Sequence, residues 1–237
     1  MACGDARDAD LMGRLMDGEP AACVVTDPPY GVAYEGKTPR RLRLPNDHSH
    51  GLPALLEAAF GVVDPWVAAG AAVYMFHPTG SLLPVFVDAF VGAGWELRQT
   101  LVWAKDAMVL GHADYHHQHE SILYGFKPLE GKGRLGRGGR GWHGDNRQVS
   151  VFEVPRPRAA REHPTTKPPE LLARMIRNST RRRDLVVDPF AGSGSTLVAC
   201  EHLGRRARLV ELDPAYCDVI IARYERVTGR RVDRGEA

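Results

Sequence analysis

The sequence predicts an α/β fold: a mostly parallel central sheet with helices on both faces. Two observations carry this reading. Short β-branched or apolar runs recur along the chain, and each is followed by turn residues and then by a helical pattern. A length of 237 residues, with 43% apolar and 25% charged residues, is also enough to bury a sizeable core in one large domain.

Taken in order, strands are expected at 22–26, 71–76, 97–104, 121–126, 185–188 and 207–211. Helices are expected at 53–69, 81–91, 168–178, 195–203 and 214–227. Three of them open near a proline, which the first helical turn tolerates because an amide there has no intrahelical acceptor. Residues 127–166 break the rhythm. They are rich in Gly, Arg and Pro, only 149–154 resembles a strand, and they are expected to be a basic insertion on a single domain spanning 1–237.

Composition excludes several classes. The longest apolar or glycine run, 66–76, is shorter than the roughly 18 residues of a membrane span, and Asp5, Arg7, Asp8 and Asp10 spoil a signal peptide. Cys3, Cys23, Cys200 and Cys217 form no C-x-x-C pair, which argues against a zinc site or disulfide framework and for a reducing, cytoplasmic setting. His112, His116, His117 and His119 with Asp114 match no standard zinc spacing, so no metal is expected.

The net charge of +2 hides an asymmetry. Between Lys127 and Arg183 there are 15 Lys+Arg against 5 Asp+Glu; the remainder holds 16 against 24. One basic segment on an otherwise acidic chain suits an anionic partner, nucleic acid first, although a solvated loop would read the same way. Arg134, Arg137, Arg140 and Arg147, set among glycines that let backbone lie close to phosphate, are the expected DNA contacts. Trp142 among them reads equally as a wedge and as a loop anchor.

Two segments carry chemistry. In Leu185-Val186-Val187-Asp188-Pro189-Phe190-Ala191-Gly192-Ser193-Gly194-Ser195, a buried strand runs through a glycine turn into a helix. Such a turn admits a ligand close to backbone and offers it free helix-end amides, while Glu211 at the next strand end can accept both hydroxyls of a ribose. A third glycine is missing, which disfavours a dinucleotide. In Val24-Val25-Thr26-Asp27-Pro28-Pro29-Tyr30, the prolines hold an extended path on which the Asp27 carboxylate and the Pro28 carbonyl can point together, with Tyr30 able to stack on a ring. That suits the exocyclic amine of a nucleobase; an ordinary strand-ending turn is the plainer alternative.

Asp27-Pro28-Pro29-Tyr30, His163-Pro164-Thr165-Thr166-Lys167-Pro168, Asp188-Pro189-Phe190-Ala191-Gly192 and Glu211-Leu212-Asp213-Pro214, in this order, resemble the S-adenosylmethionine-dependent DNA amino-methyltransferases. The order is that of the β group of adenine-N6 and cytosine-N4 enzymes, and the stretch from Gln99 through Glu120 to Tyr124 is similar to its small phage-type or stand-alone members. The resemblance implies a Rossmann-like methyltransferase fold with S-adenosylmethionine as cofactor. It places Asp27, Pro28, Pro29 and Tyr30 at the target base, and Asp27 also borders the cofactor. It places Phe190, Ala191, Gly192 and Gly194, after Asp188, along the methionine and sugar, with Thr165, Thr166 and Lys167 at the methionine. Glu211 would take the ribose, Leu212 the adenine face and Asp5 the adenine amine. The chain starts almost inside the strand carrying Asp5, so the wall behind the adenine is expected to be short.

The implied reaction is methyl transfer to an exocyclic amine of a base flipped out of DNA. Asp at the head of the tetrapeptide tilts the choice to adenine N6 over cytosine N4. A Pro-Cys pair, which ring-carbon methylation of cytosine would need, is absent from the sequence. Methylation of RNA or of a protein amide, and a silent DNA-binding relative, are the rivals. A short recognition region leaves room for a homodimer, since a second copy would enlarge the DNA-contacting surface.

Overall fold

The computed structural model describes residues 1–31, 51–110, 114–129, 141–156 and 166–235. Its described strands are β1 (Ala2–Cys3), β2 (Ala21–Thr26), β3 (Val67–His77), β4 (Glu96–Val109), β5 (His117–Phe126), β6 (Val151–Glu153), β7 (Leu185–Asp188) and β8 (Arg206–Glu211). They form one sheet in the order β1-β8-β7-β2-β3-β5-β4-β6. Only β5 runs against its neighbours, pairing antiparallel with both β3 and β4. The predicted fold class is the observed one.

Side-chain alternation along the central strands fills two cores. Val24, Val73, Met75 and Val187 face one side, under Met12 and Met16 of α1 (Ala9–Met16), Leu56 and Phe60 of α2 (Leu52–Val63) and Phe86 and Phe90 of α3 (Leu83–Gly92). Cys23, Val25, Tyr74, Phe76 and Val186 face the other, under Leu171, Leu172 and Met175 of α4 (Pro169–Ser179) and Ala199 of α5 (Ser195–Leu203). Strands buried on both faces read as continuous apolar runs rather than alternating ones, which is why they stood out in the sequence. The last helix, α6 (Pro214–Thr228), starts with Asp213 accepting from the Ala215 amide and Pro214 at its first position.

Besides β3, β4 and β5, which run four or five residues beyond an expected end, three elements differ from the sequence prediction. The helix expected to reach residue 69 stops at Val63; Pro65 offers no amide to continue it, a short 3-10 turn covers Asp64–Trp66, and Val67 pairs with Ala21. Helix α1 was not predicted. Its cap is Asp8, accepting from the Leu11 amide, and Met12 and Met16 are its buried pair. The strand expected at 149–154 shrinks to Val151–Glu153, and it lies parallel to β4 as the outermost strand. The tight β4–β5 pairing demands a glycine at 125, because a Cβ there would lie 2.1 Å from the Glu96 carbonyl oxygen.

The topology opens a crevice. β2 and β7 are adjacent and parallel, yet β2 leads to β3 on one side while β7 leads to β8 on the other. Turns leaving the two strand ends therefore diverge, the arrangement in which open α/β sheets hold ligands.

Candidate active site

Two Asp-Pro turns stand at this crevice. Asp188 ends β7 and is buried. Its Oδ1 accepts the Phe190 amide at 3.1 Å and its Oδ2 accepts the Thr196 hydroxyl at 2.6 Å, so the carboxylate ties its own turn to α5. Burial pushes its pKa up to about 7, against the pull of those two donors. Gly192 and Gly194 both take positive φ, and a Cβ on Gly194 would lie 2.9 Å from Ile220 of α6. The Gly194 position is thus set by helix packing as much as by any ligand.

Glu211, at the end of β8, is bound to this turn. One carboxylate oxygen accepts the Gly192 amide at 2.8 Å and the other the Asp213 amide at 3.0 Å. Burial raises its pKa, while these amides oppose the rise. Each oxygen keeps a further lone pair, so the carboxylate can still accept two neighbouring hydroxyls. Beside it Leu212 is 39% exposed, an apolar surface next to a fixed acid. The Phe190 ring meets Phe60 edge to face. An oriented acceptor carboxylate thus stands next to an exposed apolar side chain at the end of β8.

β1 adjoins β8, with Cys3 opposite Glu211, which brings Asp5 to the same end of the sheet. The Asp5 carboxylate is clasped by the Arg7 guanidinium at 2.6 Å, and that bond holds its pKa below the ordinary range. A ligand amine reaching Asp5 therefore meets an already engaged acid.

The second turn follows β2. The Tyr30 hydroxyl donates to Asp27 Oδ1 at 3.0 Å, and its ring packs edge to face on Phe86. The Lys167 ammonium donates to Asp27 Oδ2 at 2.5 Å. The same ammonium lies 3.1 Å from Glu120 Oε2, and Lys105 holds Glu120 Oε1 at 2.8 Å. Four charges of alternating sign thus run from β2 through the segment before α4 to β5 and β4. Burial alone would lower the Lys167 pKa, but Asp27 and Glu120 together raise it, so the lysine is a cation. Burial pushes the Asp27 carboxyl up despite its lysine and tyrosine partners, whereas Lys167 and Lys105 hold Glu120 below its usual value against burial. The lysine also stands over the Phe76 ring, 4.8 Å from its centre, and its backbone oxygen accepts the Ser195 hydroxyl at 2.7 Å. That last bond joins the Asp27 turn to the glycine turn.

The structure therefore assembles Asp27, Tyr30 and Lys167 at one point and Asp188, Gly192 and Glu211 at its neighbour. Thr166 stands half-buried before Lys167. Thr165, Arg134, Arg137 and Arg140 lie outside the described residues, and Arg147 is exposed. Trp142 tilts against Tyr124 and stacks under Gly144, where a Cβ would lie 2.5 Å from its ring, the position of a loop anchor. Arg183 precedes β7, and its backbone carbonyl accepts from Arg206, which in turn pairs with Glu19. Among the described residues no group of three or more His, Cys, Asp and Glu could hold a metal, and no helix is long and apolar enough to cross a membrane. Sequence reasoning missed Lys105 and gave Glu120 no role. The available signal was an opposite-charge pair bordering the apolar runs of β4 and β5, whose antiparallel register sets Trp103 against Glu120.

Two solved structures share this architecture. M1.HpyAVI, in its complex with SAM, superposes with a TM-score of 0.70 at 20% identity, covering 94% of this chain and 97% of that one. The cytosine-N4-specific PvuII DNA methyltransferase gives 0.68 at 15% identity, covering 97% and 89%. The fold is that of the Rossmann-like methyltransferases. Residues 137–223 match the model of the DNA methylase family N6_N4_Mtase, and the chain is a relative of the adenine-N6 and cytosine-N4 DNA methylases. Among curated proteins it is 34% identical over 90 residues to the type II methyltransferase M2.MboI of Moraxella bovis, covering 36% of this chain and 33% of that protein. It is 32% identical over 136 residues to M.XycI of Xanthomonas campestris pv. cyanopsidis, covering 56% and 45%. The matched stretches span less than half the length of these curated relatives.

Proposed function

We propose that this chain transfers a methyl group from S-adenosylmethionine to an exocyclic amine in DNA, adenine N6 in preference to cytosine N4. The observation that carries the proposal is the Asp27 carboxylate. It sits at the end of a buried strand beside the glycine turn, oriented by Tyr30, and its side chain keeps 26% of its surface open.

The residues present fit the cofactor. Glu211 has two lone pairs left for ribose hydroxyls, Leu212 offers an apolar surface to the adenine, and the Gly192–Gly194 turn leads into helix α5 with no side-chain cap on its first amides. When bound, S-adenosylmethionine supplies a methyl on a positively charged sulfur, an electrophile that a base amine can attack. An amine conjugated with its ring is a poor nucleophile, so Asp27 and the Pro28 carbonyl serve by accepting its N–H groups, which favours a pyramidal nitrogen and stabilises the charge it gains. The target base must leave the duplex to reach them. Asp rather than Ser at position 27 supports adenine. The +10 balance of residues 127–183 and the exposure of Arg147 support DNA as the partner.

The test is incubation of unmethylated plasmid DNA with labelled S-adenosylmethionine, followed by nucleoside analysis. Label in N6-methyladenine is the expected result. Label in N4-methylcytosine would keep the reaction and change the base; label only in RNA or protein would overturn the substrate; no label at all would leave the silent DNA-binding relative.

A further inference from the structure

We infer that Glu120 is a positioning residue: it is the second seat of the Lys167 ammonium, and it draws that cation off Asp27 when the target amine arrives. This rests on the methyl-transfer reading above.

Both oxygens of Asp27 are engaged, Oδ1 by the Tyr30 hydroxyl at 3.0 Å and Oδ2 by Lys167 at 2.5 Å. A neutral hydroxyl leaves its oxygen able to accept again. An ammonium held at the other oxygen, however, would repel the positive charge that grows on the amine nitrogen during transfer. The lysine therefore has to give up Oδ2. It cannot retreat to water, because its side chain is 7% exposed between Phe76 and Tyr30, and a buried cation without a partner is strongly disfavoured.

Glu120 supplies the place to go. Its Oε1 is fixed by Lys105 at 2.8 Å, which orients the carboxylate. Its Oε2 is buried and lies 3.1 Å from the lysine nitrogen, so the ammonium already reaches it while its shorter bond goes to Asp27. A small rotation of the ammonium would exchange one carboxylate for the other without exposing the charge. The exchange conserves charge and breaks no covalent bond. Lys105, Glu120 and Lys167 thereby act as a counter-ion relay behind Asp27.

The test compares Glu120→Gln and Glu120→Asp with the unaltered chain, using unmethylated plasmid DNA and labelled S-adenosylmethionine, with calorimetry for the cofactor and thermal melting. An unaltered chain that labels no DNA overturns the methyl-transfer reading itself. With transfer established, Glu120→Gln is expected to lower kcat at least about tenfold, with little change in KM for DNA and with cofactor Kd within about twofold. Glu120→Asp, which keeps a carboxylate, is expected to stay within about threefold of the unaltered kcat. The inference is overturned by a Glu120→Gln variant with kcat within about twofold of the unaltered chain, by loss of cofactor affinity and melting temperature in step with kcat, or by Glu120→Asp being as slow as Glu120→Gln.

Discussion

Asp27 and Asp188 close neighbouring parallel strands in nearly the same words: Val24-Val25-Thr26-Asp27-Pro28-Pro29-Tyr30 after β2, and Leu185-Val186-Val187-Asp188-Pro189-Phe190-Ala191 along β7. Their carboxylates nevertheless serve different ends. The Phe190 amide and the Thr196 hydroxyl, both within eight residues of Asp188, brace its own turn. Asp27 keeps one local partner, Tyr30, and takes its other from Lys167, 140 residues away. A local code that builds a turn thus does not say whether the acid in it will be consumed by the turn or left for chemistry. What separates the two is the residue three positions after the aspartate and the direction in which the chain leaves the sheet.

The largest effect expected from breaking this comparison is at Asp27. Asp27→Ala should lower methyl transfer by about a hundred- to a thousandfold, the scale of losing one preorganised acceptor of transition-state charge. Cofactor affinity by calorimetry should stay within about tenfold. Near-normal turnover in this variant would put the two aspartates on the same footing. Asp188→Ala should do the opposite, costing about 1–3 kcal/mol in a denaturant titration by leaving a buried amide and a buried hydroxyl without their acceptor. If it folds as stably as the unaltered chain but transfers no methyl, Asp188 is chemical rather than structural.

On that side Glu211 is the acid proposed to face the cofactor. Glu211→Ala should weaken S-adenosylmethionine binding by about 1–3 kcal/mol. Unchanged affinity would move the ribose elsewhere.

Asp188 also carries a pH dependence. The Asp188 pKa is raised from 3.8 to about 7, so the folded state holds a proton the unfolded chain releases. The resulting stabilisation is complete below the unfolded value near 4 and is lost as pH rises through about 7. Asp188→Asn, which cannot titrate, should flatten that part of the stability profile. An unchanged slope between those limits would assign the titration to another group.

The helix-facing glycines, the strand-end acids and the apolar runs of the strands were legible because each rests on local rules of backbone and burial. Helix α1 was equally local, with Asp8 as cap and Leu11, Met12, Leu15 and Met16 at helical spacing, but at eight residues it is short enough to pass as loop. The long helix predicted through residue 69 ends at Val63, because Pro65 has no amide to continue it. The basic segment was legible as charge but not as place, since charge carries no direction until the sheet assigns it one. The structure turns Lys167 inward to Asp27 and Glu120 and leaves Arg147 exposed.

By itself the sequence determined the α/β class, the two Asp-Pro strand ends and the acid at Glu211, because strand burial, glycine conformation and helix capping depend on residues within a few positions of one another. Only the tertiary structure decided that Lys167 stands against Asp27 and that Glu120 and Lys105 stand behind it. These are contacts between strands and segments far apart in the chain. Their partners are chosen by sheet order and register, and a buried charge takes whichever opposite charge that order brings within reach.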